Sequence, residues 1–426
     1  MNHGTIRTDL ELLAAKAAAA VDEQQLVERV RELVRIRSVY EPQQGSSEAA
    51  AAEHVATVLR RLGLKVTIEE AAPGRPNVVA DWCGRRFQTG RAATLMFEGH
   101  TDVVTEGDPG SWRWPPFEAR LDNGRIYGRG ACDMKAGIAA AIAATQAVME
   151  TAPELPGRIR LGIVADEEGM MTGIKHFIEQ GWADEVDGAI ICEPEENELC
   201  LHQKGAMRVL ASFHGVMSHG AMPYAGVNPI PFLGDFLLGV RRMEAKEQDR
   251  LGEHEHLGLP WLTPTIVRTP ISGEAQFNVV PESALLALDI RTVPGQDHGS
   301  LWRELKQLAS EVAAGDARLT LDLELVEERP WTETPPSDPL VASLERAYGL
   351  VFDSRPRYGG VPGATDGTFL HAWANVPIVT VGPGDRTVPH QRDEFVEVAE
   401  VVRSARLYAA AAVLYLGNAA AERSSR

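Results

Sequence analysis

Residues 1–204 alternate between two patterns of apolar and polar positions. Where apolar residues recur at helical spacing, helices are predicted at 21–37, 47–62, 137–149 and 172–180. Short apolar runs bounded by polar or glycine residues predict strands at 65–69, 77–82, 93–97, 158–165 and 188–192. Helices and strands that alternate in this way are typical of an α/β domain, in which helices cover a sheet.

The pattern changes after residue 204. Strands are predicted at 207–213, 265–268, 284–290 and 319–324, with helices at 229–245 and 301–314. Two strand–helix–strand units with hairpin neighbours predict a smaller α+β layer of the ferredoxin-like kind. A proline-rich stretch at 329–336 closes this region, and a helix at 339–349 and a strand at 377–381 resume the first pattern. We therefore predict a first domain formed by 1–204 and 328–426, interrupted by an inserted domain at 205–327.

Composition narrows the class of protein further. The 426 residues include 42 Lys and Arg against 60 Asp and Glu, a net charge of −18 that argues against nucleic acid as a partner. The longest apolar stretches, 136–149 and 407–416, are too short or interrupted to predict a membrane span, and no signal peptide is evident. The four cysteines have no CxxC spacing, which predicts reduced thiols in a cytoplasmic protein.

The most informative polar segment follows the apolar run 92–97. His100 and Asp102 stand two residues apart at the end of a predicted strand, where alternating side chains share a face. A carboxylate that accepts one ring N–H of a histidine fixes the tautomer and leaves the other nitrogen for a metal ion. This pair therefore predicts an oriented metal-binding histidine.

Further acidic residues follow the other predicted strands. Asp133 lies in a glycine-rich turn before a helix, where it either bridges two metal ions or caps the helix N-terminus. The acidic run 166–168 follows the strand 158–165 and is either part of a site or a solvated loop. Glu193 and His390 come after the strands 188–192 and 377–381. Open α/β sheets place their sites at this edge, so the joint order of these residues predicts one metal site.

Five motifs occur in this order along the chain: GHTDVV, GRGACDMKAG, DEEG, CEP and PHQRDE. In sequence and separation they resemble the motifs of the M20 metallopeptidase family, and the resemblance runs from about residue 23 to 411. It implies a zinc-peptidase-like catalytic domain with a mixed sheet flanked by helices, interrupted by a ferredoxin-like lid that also mediates dimerisation.

The resemblance also implies how the metal would be held. His100 and Glu193 would bind one ion, Glu168 and His390 the other, and Asp133 would bridge them. Two zinc ions are the implied cofactor, with cobalt or manganese and single-metal occupancy as alternatives. Nitrogen and oxygen ligands with an open position are typical of catalytic zinc sites.

Two further residues, each close in sequence to an implied ligand, complete the catalytic site that the resemblance implies. Asp102 would hold His100 in orientation, and Glu167, adjacent to a ligand without being one, would act as general base. The metal would polarise a substrate carbonyl and acidify a water molecule.

The inserted domain carries the remaining candidates. By the resemblance, His219 in the segment GVMSHGAMP reaches the active site of a neighbouring subunit, which implies a homodimer through the lid; the alternative is a surface-loop histidine. Asn278 and Arg291 resemble substrate-binding positions, and Arg291 either binds a substrate carboxylate or pairs with Asp289.

A glycine-rich loop outside the insert is the last candidate. Gly360 and Gly363 correspond to a family segment beside the substrate carboxylate, and glycine allows a backbone to approach a ligand closely. The intervening Val361 and Pro362 depart from the Gly-Gly-Thr pattern of many members, which bears on substrate specificity more than on catalysis.

These features predict a metal-dependent hydrolase that cleaves an amide-type C–N bond in a small, carboxylate-bearing substrate. One alternative keeps the metal-water chemistry but applies it to a carbamoyl, amidine or aromatic amine group. A second alternative is a degenerate family member that binds without catalysis. Neither nucleic acid nor a membrane is an expected partner.

Overall fold

The computed structural model describes residues 3–90 and 92–424, which group into two compact units. The first contains the described residues up to Leu201, then Glu333–Gly359, and those from Thr365 onward. The second contains His202–Thr332 and Gly360–Ala364. The glycine loop thus groups with the residues of the insert, although it follows them in sequence.

The elements are numbered in chain order. The strands are β1 (Lys65–Ala72), β2 (Arg75–Cys83), β3 (Thr94–His100), β4 (Arg120–Asp122), β5 (Arg125–Tyr127), β6 (Arg158–Val164), β7 (Gly188–Ile191), β8 (Leu199–Gln203), β9 (Gly205–His214), β10 (Ser218–His219), β11 (Trp261–Arg268), β12 (Val279–Val280), β13 (Ser283–Thr292), β14 (Thr320–Arg329), β15 (Thr332–Glu333), β16 (Tyr358–Val361), β17 (Ile378–Thr380) and β18 (Phe395–Glu397). The α-helices are α1 (His3–Ala19), α2 (Glu23–Arg35), α3 (Ala49–Arg61), α4 (Ala136–Thr151), α5 (Thr172–Glu179), α6 (Pro229–Leu251), α7 (His298–Ala313), α8 (Pro339–Phe352), α9 (Gly367–Ala374) and α10 (Val398–Ser424).

The large sheet has the strand order β1-β2-β6-β3-β7-β17-β8-β15, with β16 beside β8. Its central strands β6, β3, β7 and β17 are parallel, and β1, β2 and β8 join antiparallel. Every residue of β3, β6 and β7 is buried, as expected for parallel strands covered on both faces. The carboxyl ends of these parallel strands meet at one edge.

Alanine-rich helices allow close packing against this sheet. α4 is buried along most of its length, and its small side chains let it approach both the sheet and α10. The Tyr408 ring of α10 packs on Phe97 of β3 at 5.3 Å between centroids, and its hydroxyl donates to the Val381 carbonyl at 2.5 Å. These contacts anchor α10 against the central strands.

The second unit is built on an antiparallel sheet of order β11-β13-β9-β14. In chain order it reads β9-α6-β11 and then β13-α7-β14, the ferredoxin-like arrangement. Apolar residues such as Phe213, Phe236, Leu286 and Leu305 form its core between sheet and helices. Asn228 and Asp297 cap α6 and α7 by accepting backbone N–H groups, which explains where these helices begin.

The predicted fold class is confirmed: a mixed sheet flanked by helices, with an additional α+β unit. The pattern missed the N-terminal helix α1 and several short elements. Three-residue strands such as β4, β5 and β18 show no periodicity, and β8 carries polar residues within LCLHQ. The apolar run 407–416 is the middle of the longer helix α10. Among the described residues, no helix is long and apolar enough to cross a membrane.

Candidate metal centre

The predicted ligands lie where the parallel strands end. His100 is the last residue of β3, Glu168 follows β6, Glu193 follows β7 and His390 comes after β17. His100 is opposite Val164 in the register of β3 and β6, so the two segments leave the sheet side by side. The parallel sheet therefore brings together residues from distant parts of the sequence.

One group of three ligand atoms contains His100, Asp133 and Glu193, all within 4.8 Å of one another. The His100 Nε2 atom is 3.1 Å from Asp133 Oδ1 and 3.4 Å from Glu193 Oε1. His100 is 1% exposed and Glu193 7%. An imidazole nitrogen and two carboxylate oxygens at this spacing are a suitable donor set for a divalent cation such as zinc.

A second group shares Asp133 with the first. It contains Asp133, Glu168 and His390, again within 4.8 Å. The His390 Nε2 atom is 2.9 Å from Glu168 Oε1 and 3.4 Å from Asp133 Oδ2. The two carboxylate oxygens of Asp133 thus face different groups, as a bridging carboxylate would require. We call His100, Asp133, Glu168, Glu193 and His390 the strand-end cluster.

The helix-cap alternative for Asp133 is wrong. Helix α4 begins at Ala136, and Lys135 occupies its N-cap position without a side-chain cap. Asp133 instead has φ −116° and ψ 102° within the irregular turn Ala131–Lys135. This extended backbone turns its carboxylate toward both histidines rather than toward the helix N-terminus.

Asp102 contacts both the histidine and the acidic loop. The His100 Nδ1 atom is 3.0 Å from the Asp102 carbonyl oxygen and 3.4 Å from its carboxylate. The same carboxylate accepts the backbone N–H groups of Glu167 at 3.2 Å and Glu168 at 3.0 Å. The carbonyl is the nearer acceptor for the ring, and the carboxylate mainly fixes the loop.

The acidic run after β6 is not a solvated loop. Asp166 and Glu167 are 2% and 9% exposed. Asp166 adopts φ 70° and its carboxylate pairs with Arg75 and accepts the Thr172 N–H at 3.1 Å. Arg75 also pairs with the fully buried Glu48 at 2.6 Å. These contacts hold Glu167 in place beside the strand-end cluster.

Burial and crowding shift the pKa values of the cluster in opposite directions. Burial, with Asp133 nearby, raises the pKa of Glu193 to about 7 and also raises that of Glu168. For Asp133, burial opposes ionisation, but hydrogen bonds from the two histidines outweigh it and lower the pKa. Hydrogen bonds to Asp133 and Glu168 raise the pKa of His390 to about 10.

The pKa of Glu167 is raised well above the ordinary glutamate value, chiefly by burial. The charge of His100 opposes this shift, and the charges of Glu193 and Glu168 add to it. So many buried carboxylates at one edge repel one another unless positive charge is added. The donor set and its excess of negative charge therefore both fit divalent cations.

Sequence reasoning missed two pairs of residues at this edge. Arg129 and Glu394 form a buried ion pair that contacts the Asp133 turn. Glu98 and Asp366 are buried carboxyls whose pKa values are raised well above the ordinary range, chiefly by burial. Arg129, Glu394 and Glu98 lie inside or beside the motifs and Asp366 follows the glycine-rich loop, but contacts between distant parts of the chain leave no local pattern.

In the second unit, two predicted residues lie side by side. β10 pairs with β12, so that His219 faces Val279, and the Gly220 N–H donates to the Asn278 carbonyl at 2.7 Å. We call this pair of strands the ribbon. His219 is exposed, and its Nδ1 accepts the Ala221 N–H at 3.0 Å, which leaves the ring proton on Nε2.

Arg291 pairs with Asp289, which is the alternative to substrate binding that the sequence left open. Its Nε and Nη2 atoms lie 2.6 and 3.1 Å from the two Asp289 oxygens. In the glycine loop, a Cβ at Gly360 would meet the His256 backbone oxygen at 2.9 Å, whereas one at Gly363 would meet nothing within 4 Å. Gly360 is therefore required by packing, and Gly363 is not.

Comparisons with known proteins agree with the motifs. The family model described as Peptidase family M20/M25/M40 matches residues 96–413. A probable succinyl-diaminopimelate desuccinylase of Staphylococcus aureus (strain MSSA476) is 28% identical over 396 residues, covering 88% of this chain and 94% of the relative. The succinyl-diaminopimelate desuccinylase of Cereibacter sphaeroides (strain ATCC 17025 / ATH 2.4.3) is 32% identical over 343 residues, covering 77% and 84%.

A solved structure shows the same fold. The M20 family metallo-carboxypeptidase Sso-CP2 from Sulfolobus solfataricus superposes with a TM-score of 0.71 at 18% identity, covering 92% of this chain and 99% of that one. The predicted resemblance and enzyme class are confirmed: the chain belongs to the peptidase family M20/M25/M40 and is a metallohydrolase of carbon–nitrogen bonds.

Proposed function

We propose that this protein is a divalent-metal-dependent amidohydrolase that removes an N-succinyl or related N-acyl group from a small amino acid. The observation that carries the proposal is the pair of three-atom ligand groups joined by Asp133, with the buried Glu167 beside them. The relatives named as succinyl-diaminopimelate desuccinylases support the choice of an amide with additional carboxylates.

The strand-end cluster would hold two divalent ions, with zinc as the first choice and cobalt or manganese as alternatives. His100 and Glu193 would serve one position, Glu168 and His390 the other, and Asp133 both. Bound ions of this kind supply Lewis-acid polarisation of the amide carbonyl and acidify water. Asp102 would keep the Nε2 atom of His100 directed at its ion through the carbonyl contact at Nδ1.

Glu167 would take a proton from the attacking water and return it to the leaving amine. Its buried position suits a carboxyl that exchanges a proton with a bound reactant, and burial raises its pKa, which makes it a better proton acceptor when ionised. Its backbone N–H is held by Asp102, so the side chain is positioned without itself belonging to either ligand group.

His219 would stabilise the oxyanion of the tetrahedral intermediate from a neighbouring subunit. Its ring proton is on Nε2, which makes that atom a hydrogen-bond donor. A homodimer through the lid is supported by β11, an edge strand with Trp261, Ile266 and Val267 exposed by 46%, 51% and 57%. Exposed apolar residues on an edge strand are typical of a surface that pairs with another chain.

Arg291, with Asn278 and the glycine loop, would bind the substrate carboxylate. A guanidinium binds a carboxylate through two parallel hydrogen bonds, as Arg291 already does with Asp289. Binding to substrate would therefore require exchange of Asp289 for the substrate carboxylate.

The acidic chain and the four free cysteines support a cytoplasmic location.

A substrate panel with metal-reconstituted protein tests the proposal. Metal-free protein would be given Zn²⁺, Co²⁺ or Mn²⁺ and assayed on N-succinyl and N-acetyl amino acids, dipeptides, uncharged amides, and carbamoyl and amidine compounds. We expect hydrolysis of N-acyl amino acids that is lost with a chelator and restored by metal. Activity insensitive to chelation, or confined to carbamoyl or amidine compounds, would overturn it.

A further inference from the structure

The turn that carries Asp133 is organised around a carboxylate from the far end of the chain. Glu394 accepts the backbone N–H of Gly130 at 3.1 Å through one oxygen. Its other oxygen accepts the N–H groups of Cys132 at 2.9 Å and Asp133 at 3.1 Å. Glu394 is 1% exposed, so these bonds are made away from solvent.

The backbone of the turn is shaped to receive an anion. Gly130 has φ 81°, and this left-handed conformation lets successive N–H groups converge. A Cβ at Gly130 would lie 2.5 Å from the Val103 side chain, so glycine is required there. Without the Glu394 carboxylate, these three N–H donors would lose their acceptor, which would destabilise the turn.

Arg129 connects the same carboxylate to the loop of His390. Its Nη1 donates to Glu394 at 2.5 Å, and its Nη2 to the carbonyl oxygens of His390 and Thr105, each at 3.3 Å. Arg129 is 3% exposed. One buried ion pair therefore contacts both the turn of the bridging aspartate and the loop of a histidine in the second ligand group.

Strand pairing explains why Glu394 reaches this position. β18 pairs antiparallel with β5, with Phe395 opposite Tyr127. The Gly128 N–H donates to the Glu394 carbonyl at 2.9 Å, which continues the ladder by one step. The side chain of Glu394 is thereby placed over the turn that follows β5.

We infer that Glu394, held by Arg129, is a positioning residue that fixes Asp133 and His390 relative to each other. It thereby sets the affinity of the second metal position, which the second ligand group would form. It acts through the backbone of both segments and belongs to neither ligand group. The inference rests on the proposed metal-dependent function. Partners that orient metal ligands commonly affect metal affinity about 10–100-fold when they are replaced.

The Glu394→Gln variant tests this inference because it preserves size while turning one acceptor oxygen into a donor that faces other donors. Metal-free protein would be titrated calorimetrically with Zn²⁺, and the absorption spectrum would be recorded with Co²⁺. We expect the second equivalent to bind about 10–100-fold more weakly with an altered cobalt spectrum, and the first equivalent to change less. Glu394→Asp, which retains the charge, should recover part of the affinity.

Glu247→Gln is the matched control. Glu247 is a buried glutamate of the second unit, 6% exposed, that accepts hydrogen bonds from Arg250 and Gln296. The Glu247→Gln protein should bind both equivalents of Zn²⁺ as the wild type does, even if its thermal stability falls. This control separates a loss of buried hydrogen bonds from a specific effect on the metal position.

Wild-type metal affinities and cobalt spectrum in Glu394→Gln would overturn the inference. If the wild type itself bound no divalent metal, the proposed function would fail instead, so the two failures are distinguishable. Should Glu394→Gln not fold, Arg129→Lys decides the matter, because lysine lacks the fork that contacts both Glu394 and the His390 carbonyl. Unchanged second-site affinity in Arg129→Lys would likewise overturn the inference.

Discussion

The strand-end cluster and the ribbon differ in how their residues are held. In the cluster, four of the five predicted ligands are largely buried, and each lies within 3.5 Å of a partner from another segment of the chain. On the ribbon, His219 is exposed and its Nδ1 accepts the N–H of Ala221, two residues away. On β13, which also belongs to the second unit, Arg291 pairs with Asp289, again two residues away.

This difference teaches which part of the machinery is pre-organised. The cluster is held by contacts between distant segments of the chain, and its carboxylates give it an excess of negative charge. His219 and Arg291 each have a hydrogen-bond or ion-pair partner two residues away, and the roles proposed for them involve a substrate or another subunit. Variants in the two regions should therefore fail in different ways.

The largest effect is expected at Glu167, which lies beside the strand-end cluster and next to its member Glu168 in sequence. Glu167→Gln should lower turnover about a hundred- to ten-thousand-fold with unchanged metal content, because it removes proton transfer alone. Glu168→Gln should instead lower metal content, because Glu168 lies 2.9 Å from His390 in a ligand group. Turnover and elemental analysis distinguish the two, and near-normal turnover in Glu167→Gln would contradict its role as base.

His219→Ala should lower turnover about a hundred- to thousand-fold with little effect on KM, as expected for loss of an oxyanion donor. The sharper test mixes this variant with Glu167→Gln under conditions of proven subunit exchange. Random pairing in a twofold dimer should restore roughly a quarter of wild-type activity, because one site of each mixed dimer is complete. No recovery would show that His219 does not act across subunits.

The smallest effect is expected at Arg291. Arg291→Lys should raise KM for carboxylate substrates about ten- to hundredfold with little change in turnover, because hydrogen bonds to charged groups contribute about 1.5–3 kcal/mol. Asp289→Asn is the matched control, since it breaks the same ion pair but leaves the guanidinium in place. Equal KM values with equal losses of thermal stability in both variants would show that the pair is only structural.

Much of the fold could be predicted because its signals are local. The apolar runs of β3, β6 and β7 and the small-residue pattern of α4 are each contained in one short segment. The short strands β4, β5 and β18 could not be predicted, because pairing such as that of β18 with β5 joins residues about 270 positions apart in sequence. Periodicity carries no information about such partners.

The candidate site, like the fold, has features that the sequence predicts and features that only the structure reveals. The sequence by itself determined the residue types, their order and their location after apolar strands, which predicted one metal site, and its resemblance to the M20 family implied all five members of the strand-end cluster. It left open whether Asp133 caps a helix and whether Arg291 pairs with Asp289. Only the tertiary structure decided both, through the backbone turn before α4 and the side-chain geometry of β13.

Glu394 shows most clearly why the sequence alone could not identify every residue of the candidate site. Its sequence neighbours mark it only as one more acidic residue after His390, whereas its burial and its bonds to a turn 261 to 264 residues earlier make it part of the site. Local chemistry determines which residues are able to bind a metal ion. The long-range strand pairing and the burial of charge determine which of them are brought together and held.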